Sequence, residues 1–234
     1  MSVIITAQDI NKLRQSTGAG MLDCRKALTE ANGDFEGAID WLRKQGQKVA
    51  AKRSDREAKE GVVIAQTTAD NKSGIVLCIS AETDFVSNNA EFVTFVKTIA
   101  NAAIEYNIQT AEELNKVTIG SETVADMVND KLASIGEKIG ITRFERVNAP
   151  FVASYIHGSN RMGVLVALTK EAAEAGKDVA MQIAAMNPLA VDESSIAPET
   201  IAREREIAIE QIKAEGKPAE MAEKIAVGKV NKFL

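Results

Sequence analysis

The sequence has few of the side chains that carry most enzyme chemistry. Its 234 residues include one histidine, two cysteines, one tryptophan and two tyrosines. The histidine, His157, has no catalytic pattern of serine, cysteine or carboxylate residues around it, so few groups remain for general acid–base catalysis. We therefore expect a protein that is not an enzyme.

The cysteines, the hydropathy and the charge exclude further classes. Cys24 and Cys78 fit neither a metal-binding spacing nor an exported disulfide scaffold, so we expect no metal, no cofactor and a cytoplasmic location. No apolar run approaches the ~20 residues of a membrane-spanning helix, and the N-terminus lacks a secretory signal pattern. A net charge of −5 argues against a nucleic-acid coat. We expect neither membrane nor direct nucleic-acid binding.

The first elements that the sequence predicts are three short helices within residues 1–46. Turns at Thr17–Gly20 and Asn32–Gly33 separate them. A bundle this small suits docking better than catalysis. The first turn is not a dinucleotide-binding loop, because a helix precedes its glycines. Met21 and Leu22 follow it, and their residue types fit either the core or an exposed apolar contact for a partner.

A charged segment and two β-hairpins are predicted next. Residues 47–60 are rich in Ala, Lys, Arg, Asp and Glu, which is typical of a solvated linker. Beyond it, β-branched residues flank two runs of turn residues. The predicted strands are residues 62–68, 75–80, 151–157 and 164–168. Gly74 and Gly163 lie 89 positions apart, as do Val63 and Val152, so we infer an internal duplication.

The duplication predicts the architecture of the core. Since a hairpin cannot bury its own apolar face, helices at 89–105 and about 176–186 are expected to cover the two hairpins. The result is an α+β fold whose two similar halves span residues 61–147 and 148–197. The first half carries a mostly helical insert at 111–140, followed by a strand leading into the second half.

The C-terminal residues 198–234 read as two helices. Pro198 suits a first helical turn, Gly216 ends that helix, and Pro218 begins the next. The pattern predicts a protruding antiparallel helical hairpin, with packing back onto the body as the alternative.

The Thr83–Val86 segment lies between a buried strand and a helix. Asn88 is expected to cap that helix, with Glu91 completing a capping box. By residue type alone, Phe85 fits the core and Asp84 a turn. The alternative is that Phe85 points outward as an aromatic wedge, braced by the strand and the helix.

Several segments, taken in order along nearly the whole chain, resemble the elongation factor Ts family. They are Thr17–Leu28, Thr83–Val86, Ile135-Gly136, Tyr155–Gly158 and the helical arm. The resemblance implies a guanine-nucleotide exchange factor for elongation factor Tu. Separately, the predicted N-terminal helices resemble ubiquitin-associated (UBA) domains in size and order.

The resemblance assigns roles to particular residues. It implies that Thr83, Asp84, Phe85 and Val86 dislodge the magnesium ion of elongation factor Tu, with Asp84 and Phe85 pressing between helices of its nucleotide-binding domain. Other matched positions are implied contacts with the same partner, and these are Arg14, Met21, Leu22, Ile135, Gly136 and His157.

The chain departs from the family pattern, and alternatives stay open. Family members usually continue beyond the position of Leu234, so the resemblance implies that a C-terminal portion is absent. Position 22 is Leu where the family often has Met, a change that conserves volume. A homodimer through the core is left open. The alternative function is a ubiquitin-like or RNA-binding adaptor that uses the N-terminal helical module.

Overall fold

The computed structural model describes residues 4–216 and 218–233. It comprises two compact units, Met1–Ala185 and Met186–Leu234. Both helices and antiparallel strands are present, which confirms the predicted α+β class.

Three helices form the N-terminal part, as the sequence predicts. They are α1 (Ala7–Thr17), α2 (Met21–Glu30) and α3 (Phe35–Lys52). Thr6 caps α1 in a reciprocal arrangement with Asp9, and the left-handed Gly18 (φ 69°) ends it. Asp34 caps α3. A small cluster of buried side chains holds the helices together, and it includes Leu13, Cys24, Ala27, Leu28 and Ala38.

Residues 47–60 are mostly exposed, but parts of the segment also contact the rest of the first unit. Their first part continues α3, whose Val49 packs against the apolar cluster of the sheet. Further along, the Lys138 ammonium donates hydrogen bonds to the carbonyl oxygens of Ser54 and Arg56, at 2.6 and 2.9 Å. The segment is therefore held in place along much of its length.

The strands form antiparallel sheets. In chain order they are β1 (Glu60–Thr67), β2 (Ser73–Ala81), β3 (Thr118–Ile119), β4 (Glu122–Thr123), β5 (Gly140–Asn148), β6 (Phe151–His157) and β7 (Met162–Leu168). The main sheet has the order β1-β2-β5, so β2 is central and almost fully buried. The strand predicted to lead into the second half is β5, and it pairs with β2 of the first half.

The remaining helices cover the sheets or follow them. They are α4 (Asp84–Ser87), α5 (Ala90–Glu105), α6 (Ala111–Lys116), α7 (Val124–Ile135), α8 (Ala173–Met186), α9 (Pro198–Ala214) and α10 (Ala219–Phe233). The cap of α5 is Asn89, whose Oδ1 accepts the N–H groups of Glu91 and Phe92 at 2.8 and 3.4 Å. The predicted cap, Asn88, was wrong by one residue, because Asn88 ends α4.

The main core lies between the main sheet and helices α5 and α7. Its fully buried side chains include Val62, Ile75, Leu77, Ile79, Val96, Ile99 and Val124. In β1, Val62 and Ile64 belong to this core, whereas Val63 and Ala65 on the other face lie near Gly163 of β7. The buried residues of α5 recur with helical spacing.

The two hairpins β1–β2 and β6–β7 have the same register at a separation of 89 residues. Ile64 pairs with Leu77, and Ala153 pairs with Val166. The hairpins also bond to each other reciprocally. The Val63 N–H donates to the Asn160 carbonyl at 2.7 Å, and the Val152 N–H donates to the Asn71 carbonyl at 2.6 Å. Asn71 and Asn160 both have positive φ, which asparagine tolerates better than most residues.

The second unit contains α9 and α10, which pack as an antiparallel pair around buried Ala208, Ile212 and Ala226. Gly216 at φ 79° turns the chain between them, as predicted. Leu234, the last residue of the predicted arm, lies outside the described residues. Across the part of the chain that the structure describes, no helix has both the length and the apolarity needed to cross a membrane.

Candidate functional site

The Thr83–Val86 segment forms most of a one-turn helix at the end of the central strand. Strand β2 ends at Ala81, and α4 begins three residues later. The Asn88 N–H closes the turn by donating to the Asp84 carbonyl at 2.9 Å. The sequence predicts a short connection here, but four residues are too few to show helical periodicity.

The side chains of this turn divide between solvent and core. Val86 packs against the main core, and the buried Ser87 donates its hydroxyl hydrogen to the Asp84 carbonyl at 3.2 Å. Asp84 and Phe85 face outward, and 86% of the Phe85 side chain is exposed. The interpretation of Phe85 as a core residue is therefore wrong. An exposed phenylalanine on a fixed turn is an apolar group available to a partner.

Glu137 holds the base of the turn. Its Oε2 accepts the backbone N–H groups of Glu82 and Thr83, at 3.1 and 3.0 Å. Its Oε1 accepts the Thr83 hydroxyl hydrogen at 2.7 Å. One carboxylate thus fixes both residues that lead from β2 into α4.

The Glu82 side chain makes a second set of hydrogen bonds. Its carboxylate accepts the Lys138 N–H at 2.6 Å and the Arg53 guanidinium at 2.8 and 2.9 Å. These donors lower the pKa of the Glu82 carboxyl, and the Lys138 N–H is the largest cause. We call Glu82 and Glu137, with these hydrogen bonds, the carboxylate clamp. Sequence reasoning missed it, because its two members lie 55 positions apart.

The clamp also brings the Ile135-Gly136 pair next to the turn. Helix α7 ends at Ile135, which is exposed, and Gly136 follows in the left-handed conformation at φ 78°. Glu137 comes directly after this pair and contacts Thr83. Two segments that the sequence singled out separately are therefore neighbours.

Met21 and Leu22 are exposed at the start of α2, by 51% and 74%. The core interpretation of these two residues is therefore wrong. The turn before them lies beside the end of α7, since a Cβ added at Gly18 would lie 4.0 Å from the Ser134 Cβ. Arg14 is exposed in the last turn of α1.

Helix α3 fixes the N-terminal helices against α7. A Cβ added at Gly46 would lie 2.7 Å from the Ala133 Cβ, so the two helices approach closely. The Arg43 guanidinium contacts the carboxylates of Glu122 and Asp130. Burial raises the pKa of the Asp130 carboxyl, and the neighbouring Glu122 raises it further.

His157 lies at the end of β6. It is exposed, and its Nδ1 is 2.9 Å from the Tyr155 hydroxyl. Among the residues that the structure describes, no hydrogen bond or ion pair links His157 to the Thr83–Val86 segment.

No cluster of three or more His, Cys, Asp or Glu side chains within residues 4–216 and 218–233 is placed to hold a metal ion.

Comparison with known proteins gives one consistent result. A family model described as Elongation factor TS matches residues 82–234. The chain is 48% identical over 232 residues to elongation factor Ts of Christiangramia forsetii and 49% identical over 232 residues to that of Flavobacterium psychrophilum. Each match covers 98% of this chain and 84% of the relative. With elongation factor Ts of Clostridium perfringens, identity is 43% over 238 residues, covering 98% of this chain and 78% of the relative.

These matches extend over nearly the whole chain and agree with the resemblance carried by the Thr83–Val86 segment. The chain therefore belongs to the elongation factor Ts family and is a translation elongation factor.

Proposed function

We propose that this protein is a guanine-nucleotide exchange factor that binds the GDP form of elongation factor Tu, displaces its magnesium ion and promotes GDP release. The observation that carries the proposal is the 86% exposure of Phe85 on a turn fixed by the core and by the carboxylate clamp. A flexible aromatic side chain would yield on contact, whereas a fixed one can displace elements of a partner.

The coordination chemistry of magnesium explains why a small displacement of its ligands is sufficient to weaken GDP binding. Mg²⁺ requires near-octahedral oxygen geometry and bridges a protein to the nucleotide phosphates. A wedge that moves the ligands of the partner's ion by about an ångström therefore weakens its hold on GDP. Coupling is reciprocal, so GDP weakens binding of the factor by the same ratio. The factor thus speeds exchange without choosing the nucleotide, and GTP binds because it is in cellular excess.

The proposed interface has two parts. Thr83–Val86 forms the first, and Asp84 and Phe85 press between helices of the nucleotide-binding domain. The second part comprises Arg14, Met21, Leu22, Ile135, Gly136 and His157. In this proposal the three N-terminal helices act as a UBA-like docking module, and the exposed Met21 and Leu22 support that role.

The remaining assignments follow the same proposal. We assign docking to residues 1–46, connection to 47–60, a duplicated core to 61–147 and 148–197, and an arm to 198–234. The protein would act in the cytoplasm, with no covalent chemistry and no cofactor of its own.

A homodimer through the core is the second assembly to test. Sedimentation of the free chain separates a monomer of 25.1 kDa from a dimer of twice that mass.

Replacement of Phe85 tests the proposal. Stopped-flow release of fluorescent GDP from elongation factor Tu would be measured with the wild-type factor and with Phe85→Ala. Because exposed aromatic anchors carry ~2 kcal/mol or more at interfaces, we expect release to slow by roughly 30-fold. The free energy of unfolding should change by less than about 0.5 kcal/mol, since the side chain is on the surface.

Tyr106→Ala is the matched control. Tyr106 is also an exposed aromatic residue, at 55%, and it lies at the far end of the 16-residue helix α5, ~24 Å along the helix. Release with Tyr106→Ala should match the wild type. An unaltered rate with Phe85→Ala would contradict the wedge. If a pull-down from a bacterial lysate retained RNA and no GTPase, the adaptor would be the better interpretation.

A further inference from the structure

We propose that Glu137 is a positioning residue for nucleotide exchange: it holds the turn that carries Phe85 at the angle the partner requires. This inference rests on the proposed function. Glu137 touches neither the nucleotide nor the metal in this account, and it acts only through Thr83 and the turn that follows.

The turn cannot fix its own orientation. Helix α4 has four residues, and a single helical turn is marginal without tertiary contacts. Thr83 occupies its N-cap position, yet its side chain makes no capping hydrogen bond to α4. The hydroxyl hydrogen goes to Glu137 instead. The group that would ordinarily stabilise the helix start therefore fixes the turn to a different segment of the chain.

Contacts on two sides set the angle of Phe85. On the core side, Val86 packs against the apolar cluster and Ser87 is buried. On the other side, Glu137 accepts the two backbone N–H groups and the hydroxyl described above. Without Glu137, Thr83 would lose its side-chain and backbone hydrogen bonds to the loop after α7, and the core contacts and the Glu82 hydrogen bonds would be left to resist rotation of the turn.

Glu82, the other member of the carboxylate clamp, helps to hold Glu137 in position. Since Glu82 accepts the Lys138 N–H, the backbone directly after Glu137 is restrained, and the Arg53 guanidinium holds the Glu82 carboxylate in turn. The same loop follows Ile135-Gly136, a proposed contact of the partner. A force applied to Phe85 is therefore also transmitted to Ile135-Gly136.

Three donors on two carboxylate oxygens distinguish Glu137 from a replaceable polar residue. Glutamine in its place has one acceptor oxygen, and its amide N–H₂ would face a donor. Alanine removes all three hydrogen bonds. Glu137→Gln preserves size and should be impaired less than Glu137→Ala, so the pair remains informative if alanine disturbs folding.

Amide hydrogen exchange of the free chain measures the restraint without the partner. In Glu137→Ala, the Glu82 and Thr83 amides should exchange faster than in the wild type, while amides of α5 stay protected. The matched control is Glu113→Ala. Glu113 also accepts a backbone N–H, from Gln109 at 2.8 Å, but it lies in α6 and takes no part in the clamp. It should leave the Glu82 and Thr83 amides unchanged.

GDP release from elongation factor Tu measures the consequence. At saturating factor, Glu137→Ala should slow release by about tenfold, because small misplacements of a positioned group cost one to two orders of magnitude. Glu113→Ala should release GDP at the wild-type rate. In the double variant with Phe85→Ala, the loss of Glu137 should add no further slowing, since there is no ring left to position.

Two outcomes would overturn the positioning role. One is wild-type release with Glu137→Ala while Phe85→Ala is slow. The other is multiplication of the two effects in the double variant, which would show that Glu137 acts independently of Phe85. If Phe85→Ala itself released GDP at the wild-type rate, the proposed function would fail first, and the positioning role with it.

Discussion

The two hairpins of the first unit share one plan but differ in what surrounds them. Both have the same strand register, displaced by 89 residues, and each receives a hydrogen bond from the other. In the first, β2 is flanked by β1 and β5. In the second, within the described residues, β7 pairs with β6 alone. The first hairpin is therefore the stiffer support.

The difference extends to the residues that follow each hairpin. After β2 comes the turn with Phe85, braced by Glu137. The position equivalent to Phe85 after β7 is Glu174, an exposed residue in the first turn of α8. A duplicated scaffold can thus carry different functions on its two copies. The proposed wedge occurs on the copy with the larger core.

The largest expected effect compares equivalent core positions in the two hairpins. Leu77 in β2 is fully buried, whereas Val166 in β7 retains 9% exposure. Leu77→Ala should cost about 2–5 kcal/mol of unfolding free energy, including the cavity it leaves. Val166→Ala should cost about 1–2 kcal/mol, for two methyl groups. Urea unfolding followed by circular dichroism measures both.

Leu77→Val is the size control for this comparison. The difference between Leu77→Val and Leu77→Ala removes the same two methyl groups as Val166→Ala. If that difference is no larger than the cost of Val166→Ala, the first hairpin is not the stiffer support.

The next effect concerns the contact between the hairpins. A Cβ added at Gly163 would lie 2.8 Å from Val63 Cγ1, and one added at Gly74 would lie 3.0 Å from Val152 Cγ1. Gly163→Ala and Gly74→Ala should each destabilise the protein by roughly 1–3 kcal/mol through overpacking. Thermal unfolding is the measurement. Gly140→Ala is the control, because a Cβ there meets nothing within 4 Å. Unequal effects at the two equivalent glycines would contradict the reciprocal packing.

A smaller expected effect, the pH dependence of stability, distinguishes the clamp from the rest of the first hairpin. The folded state lowers the pKa of Glu82, so its contribution to stability is present above the ordinary glutamate pKa. That contribution is lost as the pH falls through the lowered value. Glu82→Gln should therefore reduce the melting temperature at pH 7, and the gap to the wild type should close in acid.

Glu105→Gln is the control for this titration, since Glu105 is an exposed carboxylate at the end of α5. A gap between Glu82→Gln and the wild type that stays constant from pH 7 to acid would show that the Glu82 charge does not support the clamp.

Much of the fold is predictable because its signals are local. Turn residues between β-branched runs mark both hairpins, and the spacing from Gly74 to Gly163 indicates the duplication. Helical periodicity predicts α5, although the choice of Asn88 over Asn89 as its cap was wrong. Adjacent asparagines give the same capping signal, and only the backbone decides between them.

The site is less predictable, because it depends on contacts between distant residues. Residue type could not decide whether Phe85 or Val86 faces the core, since both are apolar and the turn is short. Glu137 carries no signal of its own beyond following Ile135-Gly136. The contacts that residues 47–60 make with the rest of the first unit were not predicted, because a run of charged residues usually remains in solvent. Here Lys138 binds carbonyl oxygens in that run.

The central claim is that Phe85 acts on the partner through its magnesium ion. The direct test is GDP release from elongation factor Tu with wild-type factor and with Phe85→Ala, first in excess Mg²⁺ and then in EDTA. In Mg²⁺ the wild type should be faster by roughly 30-fold. In EDTA the ion that the wedge displaces is already gone, so the two rates should converge. The same ratio of rates with and without magnesium would contradict the account.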